Sequence, residues 1–285
     1  MIRTWEARGR LVVPDRVPRV MGIVNVTPDS FSDGGRTARL EDAVNHGVRL
    51  VEEGADLLDI GGESSRPGAE PVSLEEELRR VIPVVEALAS RVTVPISVDT
   101  TKAEVARRAL DAGAAIVNDI TALGSDPELA RVVVESGAGV VLMHMQGEPR
   151  TMQDNPRYND VVAEVLEFLE RRLIWAESLG LDRRRIAIDP GFGFGKTKDH
   201  NLLILRNIER FASLGCAILV GTSRKRVLGE LTGRPVGGRG AATVVSSLAA
   251  GVGGANVVRV HDVAPMVDAI KVWTAIRGWD EARNQ

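Results

Sequence analysis

Eight short apolar runs, separated by longer segments of helical periodicity, are the feature that most constrains how this chain folds. Most of the runs are continuously apolar and β-branched, which indicates parallel strands whose outer face is covered by helices. The regular order of strand and helix favours an α/β fold. The runs occupy residues 20–26, 57–60, 94–98, 115–117, 139–143, 186–188, 217–220 and 257–260.

The segments between these runs carry recognisable helix boundaries. Ser73 followed by Glu76 has the spacing of a capping box, in which each side chain caps the other's backbone N–H. Asp126 before Pro127 predicts an N-cap followed by proline at the first helical position, and Gly137 predicts the end of that helix. Residues 101–104 are expected to open a further helix. These signals support the alternation of strands and helices.

Eight strand–helix units in 285 residues match the size and order of a (β/α)8 TIM barrel, and we expect a single domain of this α/β class. A doubly wound open sheet is the alternative that the pattern leaves open. Residues 1–19 are expected to form an N-terminal preface, as a hairpin covering the barrel floor, and residues 20–285 to form the barrel.

Charge and cysteine content argue against several kinds of protein. The formal net charge of −3 gives no general attraction to nucleic acid or to an anionic membrane. The only cysteine, Cys216, lies in an apolar run, which predicts a buried side chain and suits a reducing compartment. We see neither a signal peptide nor an apolar stretch that would span a bilayer, so a cytoplasmic location is expected.

Polar side chains stand where the predicted strands end. Asn25, Asp99, Asn118 and Asp189 close four strands and are expected to point inward. Helix capping explains isolated polar residues after strands, but burying four of them without partners would cost several kcal/mol. Because active sites of such barrels lie at these strand ends, we interpret the four as a recognition set for a flat, hydrogen-bonding ring.

Cations follow the last two strands, where such barrels frequently bind phosphate. Arg259 and His261 are two residues apart, so alternation puts both on one side of the strand end. Arg224 and Arg226 follow the seventh strand, and for them solvated surface charge is an equally good explanation.

Residues 190–197 read PGFGFGKT and imitate a phosphate-binding P-loop. The position of the required first glycine is taken by Pro190, and Asp189 places a negative charge directly before it. We therefore expect no nucleotide-binding loop here. Phe192 and Phe194 are instead expected to offer an aromatic wall to a ligand. Glycines in two earlier loops favour mobile segments that close over the site, at Gly34, Gly35, Gly61, Gly62 and Gly68.

Five motifs together resemble those of dihydropteroate synthases, in order along the chain from about residue 20 to about residue 275. They are MGIVNVTPDSFSDGG at 21–35, DIGGESSRPG at 59–68, DPGFGFGK at 189–196, GTSRK at 221–225 and RVHDV at 259–263. The resemblance implies a transferase that joins 4-aminobenzoate to 7,8-dihydropterin-6-ylmethyl diphosphate and releases diphosphate. It also implies that the protein is a homodimer and that the molecules it binds are these small-molecule substrates.

The resemblance also assigns roles to residues. It implies that the pterin is bound by Asp99, Asn118, Asp189 and Lys225. It implies Asn25 as the ligand of a Mg²⁺ cofactor, with Arg259 and His261 holding the diphosphate. Ser65, Arg66 and Pro67 resemble the aminobenzoate side, together with Phe31, Phe194 and the stem of Lys225. Asp33 is expected to help close the site. The residues expected to act in catalysis are Asp33, Arg66, Lys225, Arg259 and His261, and Met143 and Ser223 complete the substrate-binding set.

The implied reaction is dissociative: diphosphate leaves first, and the arylamine attacks a methylene cation stabilised by the pterin. Two rival functions fit parts of the pattern. Methyltetrahydrofolate–corrinoid methyltransferases share the pterin-binding strand ends but do not need the cations of the last two strands. A non-catalytic homologue would be expected to have lost Asn25, Arg66, Lys225 or His261, and all four are present. The glycine- and arginine-rich stretch 232–240 has no functional explanation at this level.

Overall fold

The computed structural model describes residues 4–13, 17–27, 36–66 and 68–277. Within these residues, eight parallel strands close into a barrel, which confirms the (β/α)8 prediction and excludes the open sheet. Two further strands, β1 and β2, form a separate antiparallel hairpin. In chain order the strands are β1 (Trp5–Ala7), β2 (Arg10–Val13), β3 (Arg19–Asn25), β4 (Leu57–Gly61), β5 (Ile96–Asp99), β6 (Ile116–Asp119), β7 (Gly139–Met143), β8 (Ile186–Asp189), β9 (Ala217–Val220) and β10 (Val257–Val260).

Helices cover the outside of this barrel. Outward-facing strand residues such as Val24, Ile60 and Val98 are fully buried against them, which explains why the strands read as continuous apolar runs. Among the described residues, no helix is both long and apolar enough to cross a membrane. The helices are α1 (Arg36–Glu52), α2 (Leu74–Ala89), α3 (Ala103–Asp111), α4 (Pro127–Ser136), α5 (Val161–Ser178), α6 (Lys198–Arg206), α7 (Arg226–Thr232), α8 (Gly240–Val252) and α9 (Val263–Arg277).

The capping box predicted at the start of α2 forms only in half. Ser73 Oγ accepts a hydrogen bond from the Glu76 backbone N–H at 3.2 Å. The Glu76 carboxylate does not bond back to Ser73 but binds the guanidinium groups of Arg79 and Arg80. The electrostatic attraction of two cations therefore outweighs a single backbone N–H.

The cap of α4 forms as predicted and also serves a second helix. Asp126 Oδ1 accepts from the Glu128 N–H at 3.0 Å, and the helix ends at Gly137 in the left-handed conformation. The other oxygen, Oδ2, accepts from the N–H of Ala103 at 2.8 Å. The helix predicted to open over residues 101–104 thus begins at Ala103 and is capped by a residue from the next strand–helix unit.

The N-terminal hairpin closes the floor of the barrel. Trp5 is fully buried, and its indole N–H donates to the Arg185 carbonyl at 3.1 Å. The hairpin packs on the inward side chains at the N-terminal ends of the strands, among them Met21, Leu57 and Val257. A hairpin is therefore present where one was predicted. The division of the chain at residues 19 and 20 stays a prediction.

Strand register decides which side chains reach the mouth of the barrel. One inward layer pairs Ile23 with Asp59, and Asp59 with Ser97. The layer above it pairs Asn25 with Gly61, Gly61 with Asp99, and Asp99 with Asn118. Because side chains alternate along each strand, both layers project into the lumen. The polar strand ends are therefore brought together at one end.

Candidate active site

One cavity at the C-terminal mouth of the barrel is lined by the predicted site residues that the structure describes, with the exception of Phe192. Its volume is about 1950 Å³, compared with about 300–1,000 Å³ for a typical small-molecule pocket. Asp33, Pro67 and Phe31 lie outside the described residues. The predicted residues that line the cavity are Asn25, Ser65, Arg66, Asp99, Asn118, Met143, Asp189, Phe194, Ser223, Lys225, Arg259 and His261. Their placement is observed, whereas their individual roles stay predictions.

The Arg259 guanidinium lies between two carboxylates at the bottom of this cavity. Its Nε donates to Asp59 Oδ2 at 2.6 Å, and its Nη2 donates to Asp99 Oδ2 at 2.9 Å. The Asn118 amide donates to the same Asp59 oxygen at 3.0 Å. Asp59 is fully buried and joins Asn118, a predicted pterin-binding residue, to Arg259, the predicted diphosphate-binding arginine. In this structure the guanidinium is thus held toward the acidic end of the mouth.

Asp59 was missed by the sequence analysis. Asp59 lies one layer deeper in the barrel than the strand-closing residues that were predicted to form the site. The signal was available, because residues two apart on a strand share a face and Gly61 closes β4. Asp59 Oδ1 and Ser97 Oγ, on neighbouring strands of one layer, have no hydrogen-bond partner among the described residues.

Burial and the neighbouring Asp59 raise the pKa of Asp99 to about 7. Arg259 opposes this shift but does not cancel it. Near pH 7 the Asp99 carboxyl is therefore partly protonated, and its Oδ2 is hydrogen-bonded to Arg259. A carboxyl in this state both accepts hydrogen bonds from N–H groups and donates to ring nitrogens.

Asp189 presents a second buried carboxylate. Its Oδ1 accepts the Gly191 N–H at 2.7 Å, whereas Oδ2 has no hydrogen-bond partner among the described residues. Burial raises the pKa of Asp189 to about 6, and the Gly191 N–H and two lysines limit the shift. At pH 7 the carboxylate is therefore mostly ionised and has an oxygen available to a ligand.

Lys225 crosses the cavity above an aromatic ring. Its Nζ lies 3.9 Å from the centroid of Phe194, a cation–π contact. Burial, and then the positive charge of Arg259, lower the pKa of Lys225 to about 8.

Phe194 lines the cavity as predicted, but the prediction for Phe192 was wrong. Phe192 is 2% exposed and is not among the residues that line the cavity.

The glycine-rich loop at residues 190–197 does not act as a P-loop. Lys196 is 1% exposed, and its ammonium group donates to the carbonyls of Gly191 at 3.0 Å and Phe194 at 3.1 Å. The same group lies 2.9 Å from His144 Nδ1. Thr197 caps α6 through its side chain. The lysine is therefore committed to folding its own loop, and with it the position of Phe194.

His261 and Ser223, which follow β10 and β9, are hydrogen-bonded to each other. Ser223 Oγ accepts the His261 backbone N–H at 3.2 Å and lies 2.9 Å from His261 Nδ1. Either atom of this second contact can be the donor, depending on the tautomer of the imidazole. Burial, together with Arg224 and Arg259, lowers the pKa of His261 to about 3. The imidazole is thus neutral near pH 7 and carries a single ring N–H.

Ser65 and Arg66 approach the cavity from the loop after β4. Arg66 is exposed, and Ser65 is half-buried. Below them, Arg80 of α2 donates to the Gly62 carbonyl at 2.8 Å. Lys102 adds a second tie, because its ammonium group bonds Glu63 at 2.5 Å. The base of this loop is therefore fixed to the helices.

Two residues of the loop after β7 also reach the cavity and were not predicted. Gln153 donates to the Gly193 carbonyl at 2.7 Å, and Met152 is 4% exposed. Loop packing of this kind has no sequence period that would reveal it.

Arg224 pairs with Asp262 at 2.6 Å, and the exposed Arg226 pairs with Glu230 at 2.9 Å. Ion pairing therefore accounts for both of these arginines.

Comparisons with known proteins agree with the geometry. The family model for "Pterin binding enzyme" matches residues 21–261. The chain is 48% identical over 255 residues to a dihydropteroate synthase of Escherichia coli strain K12, covering 90% of each chain. A Xanthomonas albilineans dihydropteroate synthase solved with 4-aminobenzoic acid superposes with a TM-score of 0.91 at 53% identity, covering 97% of this chain and 99% of that one. The same enzyme in complex with 7,8-dihydropteroate superposes with a TM-score of 0.86 at 50% identity, covering 96% and 98%.

Proposed function

This chain belongs to the dihydropteroate synthases, a family of pterin-binding enzymes, and we propose that its barrel mouth joins 4-aminobenzoate to 7,8-dihydropterin-6-ylmethyl diphosphate. The products are 7,8-dihydropteroate and diphosphate, and the enzyme is a transferase. The observation that supports the proposal is that the barrel mouth has an acidic end and a cationic end. Buried carboxylates lie at its bottom, whereas Lys225, His261 and Arg66 supply hydrogen-bond donors or positive charge beside them.

The acidic end suits the pterin. Asp189 Oδ2 is available to accept from the amino and ring N–H groups of the pterin, a paired and charge-assisted contact. Asn118 and Asp99 lie on neighbouring strands and offer both donors and acceptors to the remaining ring edge. Lys225, above Phe194, restricts the pterin to an orientation in which the methylene carbon faces the cationic end.

The cationic end suits the leaving group. In the tautomer that carries its proton on Nε2, the neutral His261 donates from that atom to the leaving group, while Ser223 donates to Nδ1 and fixes the ring. Lys225 adds positive charge near the departing diphosphate. Stabilising the anion as it leaves lowers the barrier to forming the methylene cation. Arg259 reaches the same anion only if substrate binding weakens one of its two bonds to carboxylates.

The aminobenzoate then enters from the side of Ser65 and Arg66. An arylamine is nucleophilic while neutral, so the site needs no strong base. The chemical contribution of the protein is to hold the amine nitrogen in line with the methylene carbon. Loops that close over the mouth exclude water, which would otherwise attack the cation.

Mg²⁺ is the proposed cofactor, with Asn25 as its protein ligand. The side-chain amide of Asn25 lines the cavity and makes no hydrogen bond to another described residue. One neutral oxygen ligand fits a Mg²⁺ ion that keeps its waters and takes phosphate oxygens from the substrate. When bound, the ion would neutralise charge on the diphosphate. Removing it with a chelator should abolish turnover and leave the fold intact.

We further propose that the protein is a cytoplasmic homodimer. The support for a dimer is a set of exposed apolar side chains on α8 and α9, namely Val245, Val272 and Ile276. Light scattering at micromolar concentration should give twice the mass of one chain. A monomer at all concentrations would contradict this part of the proposal.

The proposed reaction is tested by mixing the purified protein with the pterin diphosphate, 4-aminobenzoate and Mg²⁺, and measuring diphosphate and dihydropteroate. The absence of both products would overturn the proposal in favour of a non-catalytic pterin-binding protein. Asp189→Ala should lose pterin binding in calorimetry while remaining folded by circular dichroism. Normal binding by that variant would show that the site assignment is wrong.

A further inference from the structure

The glycine- and arginine-rich stretch at residues 232–240 ends in a side chain that binds backbone rather than solvent. Arg239 Nη1 donates to the carbonyls of Arg224 at 3.0 Å and Lys225 at 3.3 Å. Its Nε donates to the Arg234 carbonyl at 3.1 Å. One guanidinium therefore ties the segment before α8 to the turn that precedes α7.

That turn is strained. Arg224 has a φ of 57°, the left-handed region that residues other than glycine rarely adopt. Such a conformation persists only when the surroundings hold it. Here Thr243 accepts the Arg224 N–H at 3.1 Å, and Asp262 pairs with the Arg224 guanidinium. Arg239 holds the following carbonyls, so the turn is restrained on both sides of the strained residue.

A glycine inside α7 makes room for this contact. A Cβ atom built on Gly229 would lie 2.3 Å from the Arg239 guanidinium. Glycine inside a helix is less favourable than alanine, so its presence needs a reason of this kind. The space for the guanidinium is thus built into a neighbouring helix, which distinguishes the contact from a chance surface pairing.

The turn matters because it carries two residues of the cavity. Ser223 directly before Arg224 bonds His261, and Lys225 directly after it lies above Phe194. A change of φ at Arg224 would displace both side chains at once.

We propose that Arg239 is a positioning residue, which keeps the turn from Ser223 to Lys225 in its strained conformation and so fixes these two side chains for catalysis. This inference rests on the proposed function only in that the reaction needs Ser223 and Lys225 in place. Arg239 acts through the backbone and needs no contact with substrate.

The hydrogen bonds from Arg239 to the carbonyls of Arg224 and Lys225 are called the Arg239 clamp below. Two variants should remove this clamp in different ways. Arg239→Met removes the donors, and Gly229→Ala displaces the guanidinium while improving the helix propensity of α7. Both should lower kcat/KM by about tenfold, since small displacements of catalytic groups have large effects on rate. The midpoint of urea unfolding should stay close to that of the unaltered protein. Arg234→Met is the matched control, because it removes an exposed charge from the same stretch and should change kcat/KM by less than about twofold.

A second-site change separates this role from a direct contact with substrate. Arg224→Gly allows a positive φ without strain. In that background, Arg239→Met should lower kcat/KM by less than about threefold. An equal loss in both backgrounds would show that Arg239 acts elsewhere and would overturn the inference. So would full activity of Arg239→Met and Gly229→Ala in the unaltered background.

Hydrogen exchange gives a measurement that does not depend on the reaction. The amide of Arg224 and its neighbours at residues 222–228 should exchange faster in Arg239→Met and Gly229→Ala than in Arg234→Met. Unchanged exchange in both variants would overturn the clamp. If the unaltered protein makes no dihydropteroate, the proposed function is overturned instead. Hydrogen exchange at residues 222–228 would still test whether Arg239 restrains the turn.

Discussion

Asp59 shows how one buried charge organises the mouth of the barrel. It accepts hydrogen bonds from Arg259 and Asn118 and raises the pKa of Asp99. The four strand-closing residues could be predicted from sequence because strand ends of such barrels are known to face the site. Asp59 could not be identified by that rule, since its importance depends on the register between strands.

Replacing Asp59 tests this organisation. Asp59→Asn removes a negative charge beside Asp99, so the pKa of Asp99 should fall from about 7 toward its ordinary value. The midpoint of the pH dependence of pterin binding that reports Asp99 should then move downward by about one unit or more. Calorimetric titration of a pterin between pH 4 and 9, in pH steps of roughly one unit, measures the midpoint.

Asp56→Asn provides the control for this experiment. Asp56 pairs with Arg19 at 3.2 Å at the opposite end of the barrel. The substitution should leave the binding midpoint unchanged. A midpoint that moves equally in both variants, or in neither, would contradict the role given to Asp59.

Lys225 gives a prediction at higher pH. Its pKa is about 8, so raising the pH above this value removes the positive charge from the unliganded site. The kcat/KM of the unaltered enzyme should therefore fall above pH 8, because this ratio reports groups of the free enzyme. Lys225→Arg should show a lower maximum but no fall up to about pH 9.5, since a guanidinium keeps its charge. Lys198→Arg, on an exposed lysine, should retain the fall. A fall that survives in Lys225→Arg would assign it to another group.

At the scale of elements, periodicity predicted the strands well. β7, β9 and β10 have the predicted bounds, and the other five barrel strands differ by one or two residues at one or both ends. Local rules failed where another contact competed with them. Asp126 also caps the next helix back along the chain, a contact with no fixed sequence spacing because it depends on how helices pack. Arg79 and Arg80 draw Glu76 away from its capping box through i,i+3 and i,i+4 pairs of the same helix.

The loop at residues 190–197 offers a test of how an element is held. Lys196→Met keeps the length of the side chain but leaves buried carbonyls without their donor. The free energy of unfolding should fall by about 1–3 kcal/mol, and the KM for 4-aminobenzoate should rise because Phe194 loses its support. Urea denaturation and steady-state kinetics measure the two effects. Lys198→Met, two residues along and exposed, should change stability by less than about 0.5 kcal/mol. Equal stability of the two variants would argue against a stabilising role for the hydrogen bonds of Lys196 within the loop.

For the molecule as a whole, stability and chemistry are separated between the two ends of the barrel. Trp5→Ala in the floor should lower the free energy of unfolding by about 3–5 kcal/mol, because the indole is fully buried there. The KM values of the surviving folded protein should stay close to those of the unaltered enzyme. Leu11→Ala, in the same hairpin but 50% exposed, should have little effect on either. A raised KM in Trp5→Ala would show that the floor and the mouth are coupled.

The closure of the barrel sets the order in which a growing chain becomes stable. β3 completes its pairing only when β10 arrives, since Arg19 lies opposite Val257. At a synthesis rate of about 5–20 residues per second, the newly made β3 waits on the order of ten seconds or more with one hydrogen-bonding edge bare. Bare edges recruit other strands. Nascent chains that have passed β9 but not β10 are therefore the form most prone to aggregate, and occupancy by ribosome-associated chaperones should be highest there.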